Sequence, residues 1–169
     1  MRRLLDGLYN GAAALAALCM VGLLVVVLLS ILSRQLHIHM PGLDAYAGYL
    51  MAAAGFLALA YTLKRGEHIR VTLILGALRG RWRRALELLA LALGTLLALL
   101  FAYYSVRLAW QSHVFNDIST GNDATPLWLP QISMGLGAAV MAIACLDELV
   151  LELRGQRVQA APAEALRNE

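Results

Sequence analysis

The sequence contains four long apolar runs without a single charged residue, and no other feature constrains its fold as strongly. The runs span residues 7–33, 45–63, 88–106 and 124–146. A bilayer core about 30 Å thick requires about 20 helical residues at 1.5 Å each, so each run is long enough to cross it. The sequence therefore predicts an all-α integral membrane protein whose spans cover about 8–32, 45–63, 87–107 and 127–146.

The 14 Lys and Arg residues are distributed unevenly among the segments outside these spans. Two precede the first span, seven lie between the second and third, and three follow the fourth, whereas the two remaining segments carry one each. Basic residues concentrate on the cytoplasmic side of membrane proteins. We therefore expect both termini and the 64–84 loop to be cytoplasmic, and segments 34–44 and 107–123 to face outward.

The composition favours a single folded unit, because the hydrophobic residues, 60% of the chain, are concentrated in the spans. We predict one four-span membrane domain over residues 1–154 and a disordered cytoplasmic tail over residues 155–169. Between spans two and three, an apolar decamer followed by arginines and Trp82 favours a helix lying in the headgroup plane over residues 67–84. A partly inserted or partner-covered segment is the alternative interpretation.

Residues at the span boundaries indicate how each helix begins or ends. Arg34 can extend its guanidinium to the outer interface, and Asp44 is suited to be a cap or a first-turn acid of the second helix. The run Lys64-Arg65-Gly66 predicts the end of that helix. The run from Pro126 to Gln131 predicts the start of the fourth.

Small residues recur on one face of two of the predicted helices. In span two these are Ala45, Gly48, Ala52 and Gly55, and in span four they are Gly135, Ala139 and Ala142. Such faces let another helix approach closely. They serve packing within the chain as readily as docking of another subunit, and the sequence leaves both interpretations open.

The spans lack the groups that membrane chemistry normally requires. No Asp, Glu, Lys, Arg or His lies in the middle of any span, although such residues mark ion pathways and counter-ions. The four histidines, His37, His39, His68 and His113, lie in loops or at helix ends, which argues against a haem-binding bundle. Cys19 and Cys145 are better explained as small packing residues than as a disulfide. We therefore predict no catalytic residue, metal site or cofactor, and we interpret the basic loop as a topology signal rather than a nucleic-acid surface.

The run Gly55-Phe56-Leu57-Ala58-Leu59-Ala60-Tyr61-Thr62-Leu63-Lys64-Arg65-Gly66-Glu67-His68-Ile69-Arg70-Val71 resembles the second-span exit of one transporter family. This family is the DctQ-type small membrane subunits of tripartite ATP-independent periplasmic (TRAP) transporters. The resemblance extends to Ser33-Arg34, to Pro126 through Gln131, and to Met134-Gly135, and it covers about residues 8–150.

The resemblance implies a non-enzymatic scaffold subunit in a bacterial inner membrane. Its implied partners are a large multi-span permease subunit, a soluble periplasmic substrate-binding protein that docks transiently, and membrane lipids. The implied process is import of an organic acid (a carboxylate), driven by ion gradients rather than by ATP. The residues that we predict at the partner interface are Arg34, Asp44, Gly48, Ala52, Gly55, Arg65, His68, Arg70, Pro126, Trp128 and Pro130.

Two other functions fit four apolar helices. An autonomous multidrug-type exporter requires an acidic residue in the middle of span one, where the residues around Gly22 are apolar. A membrane adaptor unrelated to transport leaves the 65–71 motif unexplained.

Overall fold

The computed structural model describes residues 2–38, 40–66 and 81–155, and these residues form four long α-helices. The helices are α1 (Arg2–Gln35), α2 (Leu43–Lys64), α3 (Arg81–Val114) and α4 (Trp128–Leu153). Each is long and apolar enough to cross a membrane, which confirms the predicted all-α architecture with four spans.

The helices extend past the predicted spans, most clearly in α1 and α3, because the charged residues that flank each apolar run continue the helix. The predicted interfacial helix over residues 67–84 lies outside the described residues as far as residue 80, and residues 81–84 form the first turn of α3. The predicted disordered tail lies outside them from residue 156 onward.

The four helices pack side by side in the spatial order α1, α2, α4, α3. Within the described residues, no Cα atom of α1 lies within 8 Å of one in α3, so the helices form an open layer rather than a closed bundle. Helices α1 and α4 also make a small direct contact. The outer helices, α1 and α3, are consequently far more exposed than the inner pair.

Helix α1 packs through one narrow seam of side chains. Apart from Ala13 and Gly22, its buried and half-buried residues recur at alternating intervals of four and three, which is the heptad spacing of coiled-coil packing. They are Leu5, Tyr9, Ala12, Ala16, Cys19, Leu23, Val26, Ser30 and Ser33. The remaining faces of α1 present large apolar side chains to the surroundings.

Helix α3 packs on α4 through a similar seam that consists mostly of small residues. Its members are Leu88, Leu91, Thr95, Ala98, Ala102, Ser105, Ala109 and Ser112. The Thr95 hydroxyl donates hydrogen bonds to the carbonyl oxygens of Leu91 (2.7 Å) and, across the interface, of Cys145 (3.3 Å). These bonds satisfy a buried hydroxyl that would otherwise be costly away from water.

Both cysteines are free thiols, as predicted.

The inner helices α2 and α4 approach each other closely at Gly137. A Cβ atom at this position would lie 2.5 Å from the carbonyl carbon and oxygen of Phe56. Real Cβ atoms do not come so close to a backbone, so only glycine fits here. The Phe56 ring also stacks on Phe101 of α3, with ring centroids 5.8 Å apart. Gly137 therefore sets the spacing of the inner pair.

Candidate interaction surfaces

Two of the predicted interface residues, Arg34 and Asp44, meet where α1 ends and α2 begins. The Arg34 Nη2 atom lies 3.4 Å from Asp44 Oδ2, and the Ser30 hydroxyl donates to Asp44 Oδ1 at 3.2 Å. Helix α2 is preceded by Gly42 at φ +85°, and no side chain caps it. Asp44 is therefore a first-turn acid, as one of the two expectations held, and the alternative of a cap is wrong.

Three of the four residues of the small-residue stripe on α2 face away from the other described helices. Gly48, Ala52 and Gly55 are exposed, and nothing lies within 4 Å of a Cβ built on either glycine. The face that α2 buries instead carries Ala53, Ala54, Leu57 and Ala60. Within the described residues, packing against another helix of the chain therefore does not account for Gly48, Ala52 and Gly55, whereas Ala45 is half-buried.

The stripe of α4 behaves differently, because it packs inside the chain. Gly135 and Ala142 are buried, Ala139 is half-buried, and a Cβ on Gly135 would contact Val106 of α3 at 3.6 Å. The two stripes look alike in sequence, and their different roles depend on which face each helix turns towards its neighbours.

The remaining predicted interface residues that the structure describes lie at helix ends. Arg65 follows the last residue of α2, and its guanidinium lies 4.8 Å from the centre of the Tyr61 ring. Pro126 precedes α4, Trp128 is its first residue, and Pro130 lies in its first turn. The Trp128 ring lies 5.2 Å from that of His113, which joins α3 to α4. His68 and Arg70 lie outside the described residues.

The loop between α3 and α4 is fastened to α2 through Asp123, which the sequence did not single out. The Tyr49 hydroxyl donates to Asp123 Oδ2 at 3.0 Å, and the Ser119 hydroxyl donates to Oδ1 at 2.8 Å. Gly42 lies against this side chain, since a Cβ at position 42 would be 2.8 Å from that of Asp123. These contacts hold the two loops at this end of the layer together.

The hydrogen bonds to the Asp123 carboxylate should persist at mildly acidic pH. The hydroxyl of Thr125, with those of Ser119 and Tyr49, lowers the pKa of Asp123 from 3.8 to about 2. A carboxyl whose pKa is lower in the folded state stabilises the fold above its unfolded pKa and loses that effect as pH falls towards the folded value. We expect an NMR titration of labelled Asp123 in micelles to show a midpoint near pH 2. In Thr125→Val the midpoint should move towards 3.8, and an unchanged midpoint would contradict this explanation.

A polar cluster at the opposite end of the layer joins α1, α2 and α4. The Lys64 ammonium donates to Asp147 and, at 3.3 Å, to Glu148 Oε1. The three side chains retain only 21%, 22% and 12% exposure. Lys64 also lies 5.4 Å from the ring centre of Tyr9, which is buried with Ala60 and Ala144.

The residues of this cluster were visible in the sequence, but their association was not. Lys64 belongs to the run that predicts the end of span two, and Asp147 and Glu148 directly follow the fourth apolar run. Contacts between residues more than 80 positions apart depend on which helices are neighbours, and hydropathy does not report this. Among the residues that the structure describes, no group of three or more His, Cys, Asp or Glu side chains could hold a metal ion.

Comparison with known proteins identifies the family. No curated protein matches the chain. The family described as "Tripartite ATP-independent periplasmic transporters, DctQ component" matches residues 23–155. This range includes α2, α3, α4 and the second part of α1, and therefore most of the open layer. The chain belongs to the DctQ family, and it is the small membrane subunit of a TRAP transporter.

Proposed function

We propose that this chain is the scaffold of a transporter that imports an organic acid from the periplasm. A large permease subunit would carry the substrate and ion sites, and a periplasmic binding protein would dock transiently at segments 34–44 and 107–127. Transport would be driven by an ion gradient and not by ATP. The absence of Asp, Glu, Lys, Arg and His from the middle of the four apolar runs supports this division of labour.

We infer that the protein lies in the bacterial inner membrane with both termini in the cytoplasm. The basic residues near the start of α1, between α2 and α3, and after α4 support this orientation. With this topology the Lys64 cluster lies at the cytoplasmic end of the layer, and the Arg34–Asp44 pair lies at the periplasmic end.

The observation that carries the scaffold proposal is the exposed small-residue stripe on an inner helix. Apolar side chains in a bilayer gain little from leaving lipid, so helices associate where small residues allow close packing. Gly48, Ala52 and Gly55 offer such a surface on α2, and nothing within the described chain covers them. We infer that a helix of the large permease subunit packs against this stripe.

Replacing Gly48 by leucine tests this contact. The side chain enters open space in the isolated subunit, so we expect it to fold normally and to lose the large subunit. A loss of about 1.4 kcal/mol in association reduces complex formation about tenfold. The measurement is a mild-detergent pull-down of the tagged subunit from native membranes, with mass spectrometry of the co-purified proteins and parallel uptake assays.

Gly94→Leu is the matched control, since Gly94 is also exposed, lies in α3 and has nothing within 4 Å of its Cβ position. Normal complex and uptake in Gly48→Leu would contradict the stripe as the contact. Recovery of only further copies of this chain with the wild-type protein would favour an autonomous exporter and contradict the scaffold proposal itself.

A further inference from the structure

A half-open cleft of about 390 Å³ lies where α1 ends and α2 begins. One wall is the last turns of α1, with Ser30, Ser33 and Arg34, and the other is the start of α2, with Asp44. Ile38, Met40, Pro41 and Gly42 of the connecting loop also line the cleft, as do Gly121 and Asn122 of the α3–α4 loop. The cleft therefore combines one cation, one anion and two hydroxyl groups.

The two charges in the cleft remain available to a ligand. The Arg34 and Asp44 side chains are 74% and 80% exposed, and a single guanidinium nitrogen approaches both carboxylate oxygens at 3.4–3.5 Å. Such long, exposed pairs contribute little to stability, so separating them costs little. Asp123, by contrast, is engaged by Tyr49 and Ser119.

The cleft lies at the depth of the lipid headgroups. The charge-free run over residues 7–33 extends about 40 Å as a helix at 1.5 Å per residue, which exceeds the roughly 30 Å hydrocarbon core. Arg34 follows this run directly, and Asp44 immediately precedes the next one. Below the cleft, α1 exposes Val27 and Ile31, an apolar surface suited to acyl chains.

We propose that this cleft binds the zwitterionic headgroup of a phosphatidylethanolamine molecule. Arg34 binds the phosphate, Asp44 accepts hydrogen bonds from the primary ammonium, and the Ser30 and Ser33 hydroxyls complete the polar contacts. A phospholipid with a neutral headgroup tip, such as phosphatidylglycerol, would leave Asp44 facing the phosphate without a cation. The site thus selects for a ligand whose two charges complement those of the cleft.

The test is native mass spectrometry of the full-length subunit in detergent, with phosphatidylethanolamine and phosphatidylglycerol of identical acyl chains added in equal amounts. We expect the wild-type protein to retain the ethanolamine lipid about tenfold more strongly, equivalent to about 1.4 kcal/mol. Arg34→Gln should lose most of its retention of both lipids. Asp44→Asn should lose the preference for the ethanolamine lipid, so that it retains both lipids about equally. Arg107→Gln, at another basic residue predicted to lie at the same end of the layer, should behave as the wild type.

Equal retention of both lipids by the wild-type protein, or unchanged retention in Arg34→Gln, would overturn the proposal. A third arm adds soluble O-phosphoethanolamine to the lipid-loaded protein. Displacement at similar concentration would show that the headgroup alone is the ligand and would overturn the assignment to a lipid. These measurements do not involve the large subunit, so their outcome is independent of the scaffold proposal.

Discussion

Replacing Gly137 by alanine is expected to separate the two inner helices and to lower the thermal stability of the subunit. The new methyl group would lie 2.5 Å from backbone atoms of Phe56 and 2.8 Å from its Cβ, and a backbone cannot rotate away as a side-chain tip can. Overpacking costs about 1–3 kcal/mol, and the better helix propensity of alanine returns up to about 1 kcal/mol. A net loss of about 1–2 kcal/mol corresponds to a melting temperature lower by about 2–8 °C.

The control is Gly94→Ala in α3, where nothing lies within 4 Å of the added methyl group. It carries the same gain in helix propensity without the collision, so its melting temperature should be unchanged or slightly higher. Tryptophan fluorescence during heating in detergent measures both variants. Equal melting temperatures for Gly137→Ala and Gly94→Ala would show that α2 and α4 are not in close contact at Gly137.

The four helices could be predicted because hydropathy and charge are local properties of the sequence. A run without charges that is long enough to cross the bilayer specifies a span wherever it occurs, and the end of α2 followed from Lys64 and Gly66. Gly66 adopts φ +74°, and its N–H bonds to the Leu63 carbonyl, a helix end that glycine favours.

The order of the helices could not be predicted, because it depends on pairings between distant segments. Four apolar spans fit a closed bundle as well as the open layer α1–α2–α4–α3. The small-residue seam of α3 was present in the sequence as a heptad of Ala, Ser and Thr. The many Leu residues on the other faces of α3 obscure this pattern, because composition alone does not show which face of a helix a residue lies on.

The roles of the small-residue surfaces could not be predicted from the sequence either. Gly135 and Gly137 are two residues apart, but only Gly137 contacts the backbone of Phe56. The stripe around Gly48 and that around Gly135 have the same spacing, yet one is exposed and the other buried. A small-residue pattern predicts that close packing is possible there. Which neighbour uses it is decided by the rotation of each helix in the layer.

The second large effect is expected on removing the cation of the Lys64 cluster. Lys64→Met would leave Asp147 and Glu148 with most of their side-chain surface buried and without the ammonium that bonds both. Breaking one partner of a fully buried pair costs about 3–5 kcal/mol, and the residual exposure here reduces this to about 2–3 kcal/mol. We expect a melting temperature lower by about 4–12 °C for a chain of this length.

Two further variants separate charge from packing. Lys64→Arg keeps the cation and should retain most of the stability. Lys64→Met combined with Asp147→Asn removes one uncompensated carboxylate together with the base, and we expect it to recover at least half of the loss, because coupled residues give non-additive effects. If the double variant lost as much stability as the losses of Lys64→Met and Asp147→Asn added together, the side chains of Lys64 and Asp147 would not interact. The pairing of α2 with α4 would then depend on the contact at Gly137 and on the buried alanines, rather than on charge.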